Sequence, residues 1–163
     1  MRSPLIVADF LAEKLRGLQS YAEIGTREGD NVACVAKLAQ VRAFAVEQSP
    51  RRCASLRMRG GVDVIEGEVN RTSYSSLLPT ADMYYLFIYP GVNLLIVGWI
   101  HSALRQRGRR ASVYVGYDWH TKLDRRKFAD QVTEINQTYG CAHVSRLFFD
   151  EQPHETEIGR AHV

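Results

Sequence analysis

Apolar positions along this chain come in short bursts separated by glycines and charges, and the bursts alternate between helical and strand spacing. Ile6, Phe10, Leu11 and Leu15 recur at helical spacing between Ser3 and Arg16, with Ser3 as N-cap, Pro4 at the first helical position and Gly17 as the stop. Tyr21 to Ile24 reads as a strand, Asp30 to Gln40 as a helix with Val32, Val35, Ala36 and Ala39 facing inward, and Val41 to Glu47 as a strand apolar on both faces. Ser49-Pro50 opens a helix that Gly60-Gly61 ends, Val62 to Glu66 is a third strand, Tyr74 to Leu78 a short helix, and Asp82 to Tyr89 a fourth strand turned by Pro90-Gly91. Helix Val92 to Arg107, strand Ala111 to Gly116, helix Thr121 to Tyr139 and strand Ala142 to Phe149 follow. After a turn over Asp150 to His154, Glu157 to Val163 returns as an antiparallel seventh strand. Strands alternating with helices predict an α/β chain with a mostly parallel sheet.

The most informative stretch is Glu23-Ile24-Gly25-Thr26-Arg27-Glu28-Gly29, at the exit of the first strand. Gly25 allows a left-handed backbone there and lets main-chain N–H groups approach a ligand without a Cβ in the way. Gly29 suits a helix that starts close to the sheet. Glu47 ends the second strand about 20 residues beyond the turn, where a carboxylate can accept both ribose hydroxyls of a nucleoside.

Glu23-x-Gly25-x-x-x-Gly29 followed by Glu47 resembles the first two motifs of class I S-adenosylmethionine-dependent methyltransferases. The resemblance runs from about residue 4 to the end. It implies a Rossmann-like doubly wound sandwich, with a seven-stranded sheet in the order 3-2-1-4-5-7-6 and an antiparallel last strand. It also implies S-adenosylmethionine as cofactor, held by Glu23, Gly25, Thr26, Gly29, Glu47 and Gln48, with Glu68 and Val69 at the adenine. Glu23 suits the cationic sulfonium and amino group and suits a diphosphate poorly. Nicotinamide-binding relatives of this fold usually place a glycine where this chain has Arg27, which would crowd a pyrophosphate, so an NAD-dependent oxidoreductase is the weaker reading.

The acceptor side rests on fewer residues. Tyr117-Asp118-Trp119-His120 is delivered to the carboxyl edge, where open α/β sheets bind ligands; Asp118 and His120 can act there as general base and positioning group. The plainer reading has Asp118 or Thr121 capping the next helix while Trp119 and His120 pack the loop. Tyr89 is placed to line the pocket or orient a nucleophile, with Asp150 and His154 as lesser candidates. The turn at Tyr89 is not the Asn-Pro-Pro-Tyr type found in many enzymes that methylate amino groups of nucleic acid and protein. Metal-dependent catechol-type relatives use acids at the ends of the fourth and fifth strands; Tyr89 stands at the first place, and no metal is expected.

At 163 residues, 45% hydrophobic and 24% charged, the chain has the size of one globular domain, 1–163, and a net charge of +3 does not call for nucleic acid or membrane as partner. The arginines at 51, 52, 57 and 59 read as a solvated face, and those at 105, 107, 109 and 110 as cations complementing a helix end. Cys34, Cys53 and Cys141 lack metal-ligand spacing and read as reduced thiols of a cytoplasmic protein, the first two on helices facing the sheet. The apolar run from Leu5 to Ala8 is too short for a secretory core. No insertion is long enough for a separate substrate domain. The expected activity is therefore methyl transfer to a small molecule, unless a second copy completes the pocket. The alternative is a methyltransferase-like module without transfer activity.

Overall fold

Parallel strands buried on both faces need helices to connect them, and the first half of the chain builds that arrangement in its shortest form. The computed structural model describes residues 5–87, 90–118, 130, 133, 134, 137, 144–151 and 154–162. Its contacts fall into two compact units, residues 1–85 and 86–163.

In the first unit the order is α1 (Leu5–Lys14), β1 (Ser20–Ile24), α2 (Asp30–Ala39), β2 (Arg42–Glu47), α3 (Pro50–Arg59), β3 (Asp63–Glu66), the single turn α4 (Tyr74–Leu77) and β4 (Met83–Leu86). The strands lie in the order β3-β2-β1-β4, with β1 parallel to β2 from Ser20↔Arg42 to Ile24↔Val46 and β2 parallel to β3 from Phe44↔Asp63 to Glu47↔Glu66. Asp82 fixes the start of β1: its Oδ2 accepts from the main-chain N–H groups of Gln19 and Ser20, each at 3.0 Å, and from Ser20 Oγ at 2.9 Å. Tyr21, Ala22, Ala45, Met83, Tyr84 and Tyr85 are buried in the strands, and Val32, Val35, Cys53 and Leu56 are the buried positions of α2 and α3.

The second unit holds α5 (Pro90–Gln106), β5 (Ser112–Asp118), β6 (Val144–Glu151) and β7 (His154–His162). Here the order is β5-β7-β6, and β7 is antiparallel to both neighbours, as the reversed final strand requires. Residues 130, 133, 134 and 137, within the helix expected over Thr121 to Tyr139, are helical. No helix among the described residues is long and apolar enough to cross a membrane.

Several boundaries differ from the sequence reading. Pro90-Gly91 does not turn the chain: Pro90 is the first residue of α5, where its missing N–H costs nothing, and β4 ends at Leu86. β5 continues through Asp118, which pairs with Thr156, so Asp118 belongs to a strand and not to a loop. Asp150 and Glu151 extend β6, and β7 begins at His154, so both strands are longer at this end than expected. On α1 the buried positions are Val7, Ala8 and Leu11, with Leu15 buried just after the helix, while Phe10 is half-buried with the Lys14 ammonium 5.4 Å from its ring centre. The proposed cap residues Ser3 and Pro4 lie outside the described residues.

Candidate functional site

The site is built at the carboxyl ends of β1, β2 and β3 within the first unit. Gly25 leaves β1 at φ 75°, the left-handed region, while its N–H still bonds Val46 O at 2.9 Å and so continues the β1–β2 ladder for one more residue. The chain then closes a tight turn, with Gly29 N donating to Thr26 O at 2.9 Å. Arg27 stands at φ 55°, a conformation that costs a side-chain-bearing residue about 1 kcal/mol or more. Gly29, also left-handed, starts α2. A Cβ there would lie 2.1 Å from Leu56 Cδ2, so this glycine is required by the contact between the start of α2 and α3.

Glu47 explains how the strained turn is held. Its Oε2 accepts the Arg27 N–H at 2.8 Å and its Oε1 accepts the Ser49 N–H at 2.9 Å, so one carboxylate joins the glycine turn to the start of α3. Hydrogen bonds to a charged acceptor are the stronger kind, which suits a clamp on a strained residue. Arg52 Nη1 lies 3.8 Å from Oε1, and the same arginine reaches Glu28 at 3.3 Å on the turn itself. Arg59 bonds Asp30 at 2.9 Å at the first residue of α2, and Arg57 bonds Glu66 at 2.8 Å on β3. All four α3 arginines are exposed, the solvated face that the sequence suggests, and three of them also pair with carboxylates on neighbouring segments.

Glu23 occupies a different environment. It is buried, and its Oε2 accepts both the Tyr21 hydroxyl at 2.9 Å and Asn31 Nδ2 at 2.6 Å. Burial raises its pKa from 4.5 to about 7, against the opposing hydrogen bonds from Asn31 and Tyr21 and a weaker influence of the Thr26 hydroxyl. Burial and the nearby Glu23 also push the Tyr21 phenol well above its ordinary range. Thr26 Oγ1, although close enough to favour the Glu23 carboxylate, has no partner in hydrogen-bonding geometry among the described residues, and neither does Asn31 Oδ1; both are buried atoms. Buried polar atoms without partners are costly, and their clustering beside one carboxylate marks a place suited to a donor.

Of the residues selected from the sequence, Glu23, Gly25, Thr26, Gly29, Glu47 and Gln48 come together on two adjacent parallel strand exits. Glu68 and Val69 follow β3 on the other side of β2, Glu68 exposed and Val69 half-buried, in a loop that Asn70 organises by accepting from Thr72 N at 3.0 Å and Ser73 N at 3.1 Å. Gly67, just before them, donates to Glu47 O at 3.0 Å. Tyr89 and His120 lie outside the described residues, as does Cys141; Asp118 is placed only by its strand. Among the described residues no cluster could hold a metal ion. Cys53 is buried with its Sγ 3.2 Å from Glu47 O, and Cys34 is half-buried. The sequence reading missed Asn31 and the Tyr21 hydroxyl, and the only signal for either was spacing: two residues before Glu23 on the strand, and one residue into the helix after Gly29.

No family model and no curated protein sequence matches the chain. Solved structures do. Cofactor-bound Rv0187 from MTB matches with a TM-score of 0.77 at 17% identity, over 100% of this chain and 82% of that one. An RNA methyltransferase from Salinibacter ruber in complex with S-adenosyl-L-homocysteine matches with a TM-score of 0.68 at 15% identity, over 100% and 94%. The precorrin-6y C5,15-methyltransferase from Geobacter metallireducens matches with a TM-score of 0.66 at 17% identity, over 96% and 87%. At such identities the likeness establishes the fold: this chain has the Rossmann-like fold of class I methyltransferases.

Proposed function

We propose that the chain is an S-adenosylmethionine-dependent methyltransferase, with residues 1–163 as one methyltransferase-like domain acting in the cytoplasm on a small-molecule oxygen or nitrogen acceptor. The observation that carries this reading is the pair of buried carboxylates, Glu23 and Glu47, on adjacent parallel strand exits flanking a left-handed glycine turn. The residues fit the cofactor. Each Glu47 oxygen has accepted one main-chain N–H and retains an acceptor position, so two ribose hydroxyls can be bound without displacing the clamp. Thr26 Oγ1, Asn31 Oδ1 and the unbonded oxygen of Glu23 offer acceptors to an ammonium. Gly25 and Thr26 border the turn, Gln48 follows Glu47, and Glu68 with Val69 stands one strand further on, the side assigned to adenine.

When bound, the cofactor supplies the methyl group from its sulfonium for in-line displacement by the acceptor. This chain's part is to orient the cofactor and exclude water; Asp118, His120 and Tyr89 are assigned to the acceptor side, with Asp118 or His120 taking the acceptor's proton. Of the solved structures of like fold, one is an RNA methyltransferase and another a precorrin-6y methyltransferase, so the choice of a small acceptor rests on the short loops and the small net charge of this chain.

One observation favours a second reading, a methyltransferase-like module without transfer activity. The Glu47 side chain is 3% exposed and each of its oxygens already accepts a main-chain N–H, which a purely structural carboxylate would also show. Calorimetric titration with S-adenosylhomocysteine, with NAD in parallel, separates the two readings. The enzyme binds the former alone and loses it in Glu47→Ala; a module without cofactor binds neither.

A further inference from the structure

The Tyr21–Glu23–Asn31 cluster goes further than cofactor contact, and the inference drawn from it rests on the cofactor reading above. Both donors to Glu23 land on one oxygen: Tyr21 Oη at 2.9 Å and Asn31 Nδ2 at 2.6 Å each reach Oε2, and the Asn31 amide also lies 3.5 Å from the Tyr21 hydroxyl. Among the described residues no donor reaches Oε1, so it is the oxygen left for a proton or for a ligand. Thr26 Oγ1, which acts on the Glu23 carboxyl, is buried without a partner among the described residues, at a residue only 6% exposed, and Asn31 Oδ1 is likewise unsatisfied there. The groups acting on Glu23 are all neutral: Tyr21 from β1, Thr26 from the turn and Asn31 from α2, with Tyr85 of β4 acting on Tyr21 in turn. Asp30, next to Asn31, is bonded to Arg59. A buried carboxyl group with no cation beside it among the described residues holds its proton more tightly than an exposed one, and an arriving cation loosens that hold.

We propose that binding of the cofactor's cationic amine at the β1 exit expels a proton from Glu23, and that Asn31 is the positioning residue that occupies Oε2 and leaves Oε1 for the ligand. The balance is simple. The Glu23 O–H bond breaks, its proton goes to the buffer, and the electron pair left on Oε1 faces the ammonium, so the site stays neutral overall. Direct attraction in a site with little water replaces the lost proton. Affinity for the amine ligand then falls with acidification, roughly tenfold per pH unit well below neutrality, and levels off above it. Since Glu23 ionises near 7 in the ligand-free protein, binding at pH 7 releases about half a proton, most of one at pH 6 and little at pH 8. Removing the Asn31 amide takes away a bond that favours the carboxylate, so the release profile of Asn31→Ala moves to higher pH.

The test is calorimetry of the full chain with S-adenosylhomocysteine at pH 6, 7 and 8, each in two buffers of different ionisation enthalpy. The expected result is a binding heat that depends on the buffer by the amounts above, with Asn31→Ala shifted upward in pH and Glu23→Gln releasing no proton. Binding whose heat is the same in both buffers at every pH overturns the proton coupling and leaves the cofactor reading standing. An Asn31→Ala profile superimposable on that of the parent overturns the role of Asn31. No binding at all, by protein shown to be folded, overturns the inference together with the reading beneath it. The proton count of the unsubstituted protein requires no variant to fold.

Discussion

The two buried glutamates of the site end adjacent strands, yet the chain holds them in opposite ways. Glu47 at the β2 exit is gripped by main-chain N–H groups from Arg27 and Ser49, with the Arg52 guanidinium nearby. Glu23 at the β1 exit is surrounded by neutral side chains and carries a raised pKa. The first is tied into the backbone of the turn and the start of α3, so its removal disturbs the fold. The second is tied only to side chains that could themselves be exchanged, so its charge is free to answer a ligand. Proximity on a sheet edge therefore does not give two carboxylates one job; what donates to each of them decides it.

The largest expected effect breaks the first half of the comparison. Glu47→Ala removes two charge-assisted bonds from half-buried main-chain donors, and we expect a loss of about 3 kcal/mol in denaturant unfolding together with loss of nucleoside binding. A cost under 1 kcal/mol would mean that the turn holds itself.

The next effect concerns Glu23 and has a defined sign. Its folded pKa, about 7, lies above the ordinary 4.5, so the folded state binds the proton more tightly than the unfolded chain does. The stabilisation is fully present below pH 4.5 and is lost as pH rises through 7, by about 3 kcal/mol across that window. Glu23→Gln cannot ionise and removes this component; stability-pH curves of the two proteins should diverge between those limits. Parallel curves would show that Glu23 is not held as described.

Smaller changes sharpen the account of the turn. Gly29→Ala places a methyl group in the left-handed region against Leu56, and about 2 kcal/mol of destabilisation is expected by thermal or denaturant unfolding, part of it recoverable by a smaller residue at 56. Arg57→Ala cuts an ion pair whose partners are 51% and 37% exposed, and its effect on the unfolding midpoint should correspond to less than about 0.5 kcal/mol.

What could be read in advance follows from which features leave local marks. Gly25 and Gly29 sit where positive φ is needed, and Glu23 and Glu47 close apolar runs, so the β1–turn–α2–β2 unit was visible in the chain. The antiparallel β7 was likewise visible, though its start was set too late. Pro90 misled because a proline before glycine marks a turn as readily as the first residue of a helix. The α3 arginines are exposed, as the sequence suggests, but the ion pairs they also make could not be read in advance, because their partners Glu28, Asp30 and Glu66 lie outside the helix and no local pattern encodes such pairs. Asn31 was invisible for the same reason: a polar residue in a first helical turn is ordinary until β1 is seen to place Glu23 2.6 Å away.

The most direct test of the central claim is calorimetric titration of the folded protein and of Glu47→Ala with S-adenosylhomocysteine. The account predicts binding by the former, none by the variant, and none of NAD by either. A folded parent protein that does not bind S-adenosylhomocysteine, or a Glu47→Ala variant that binds it equally well, would contradict it.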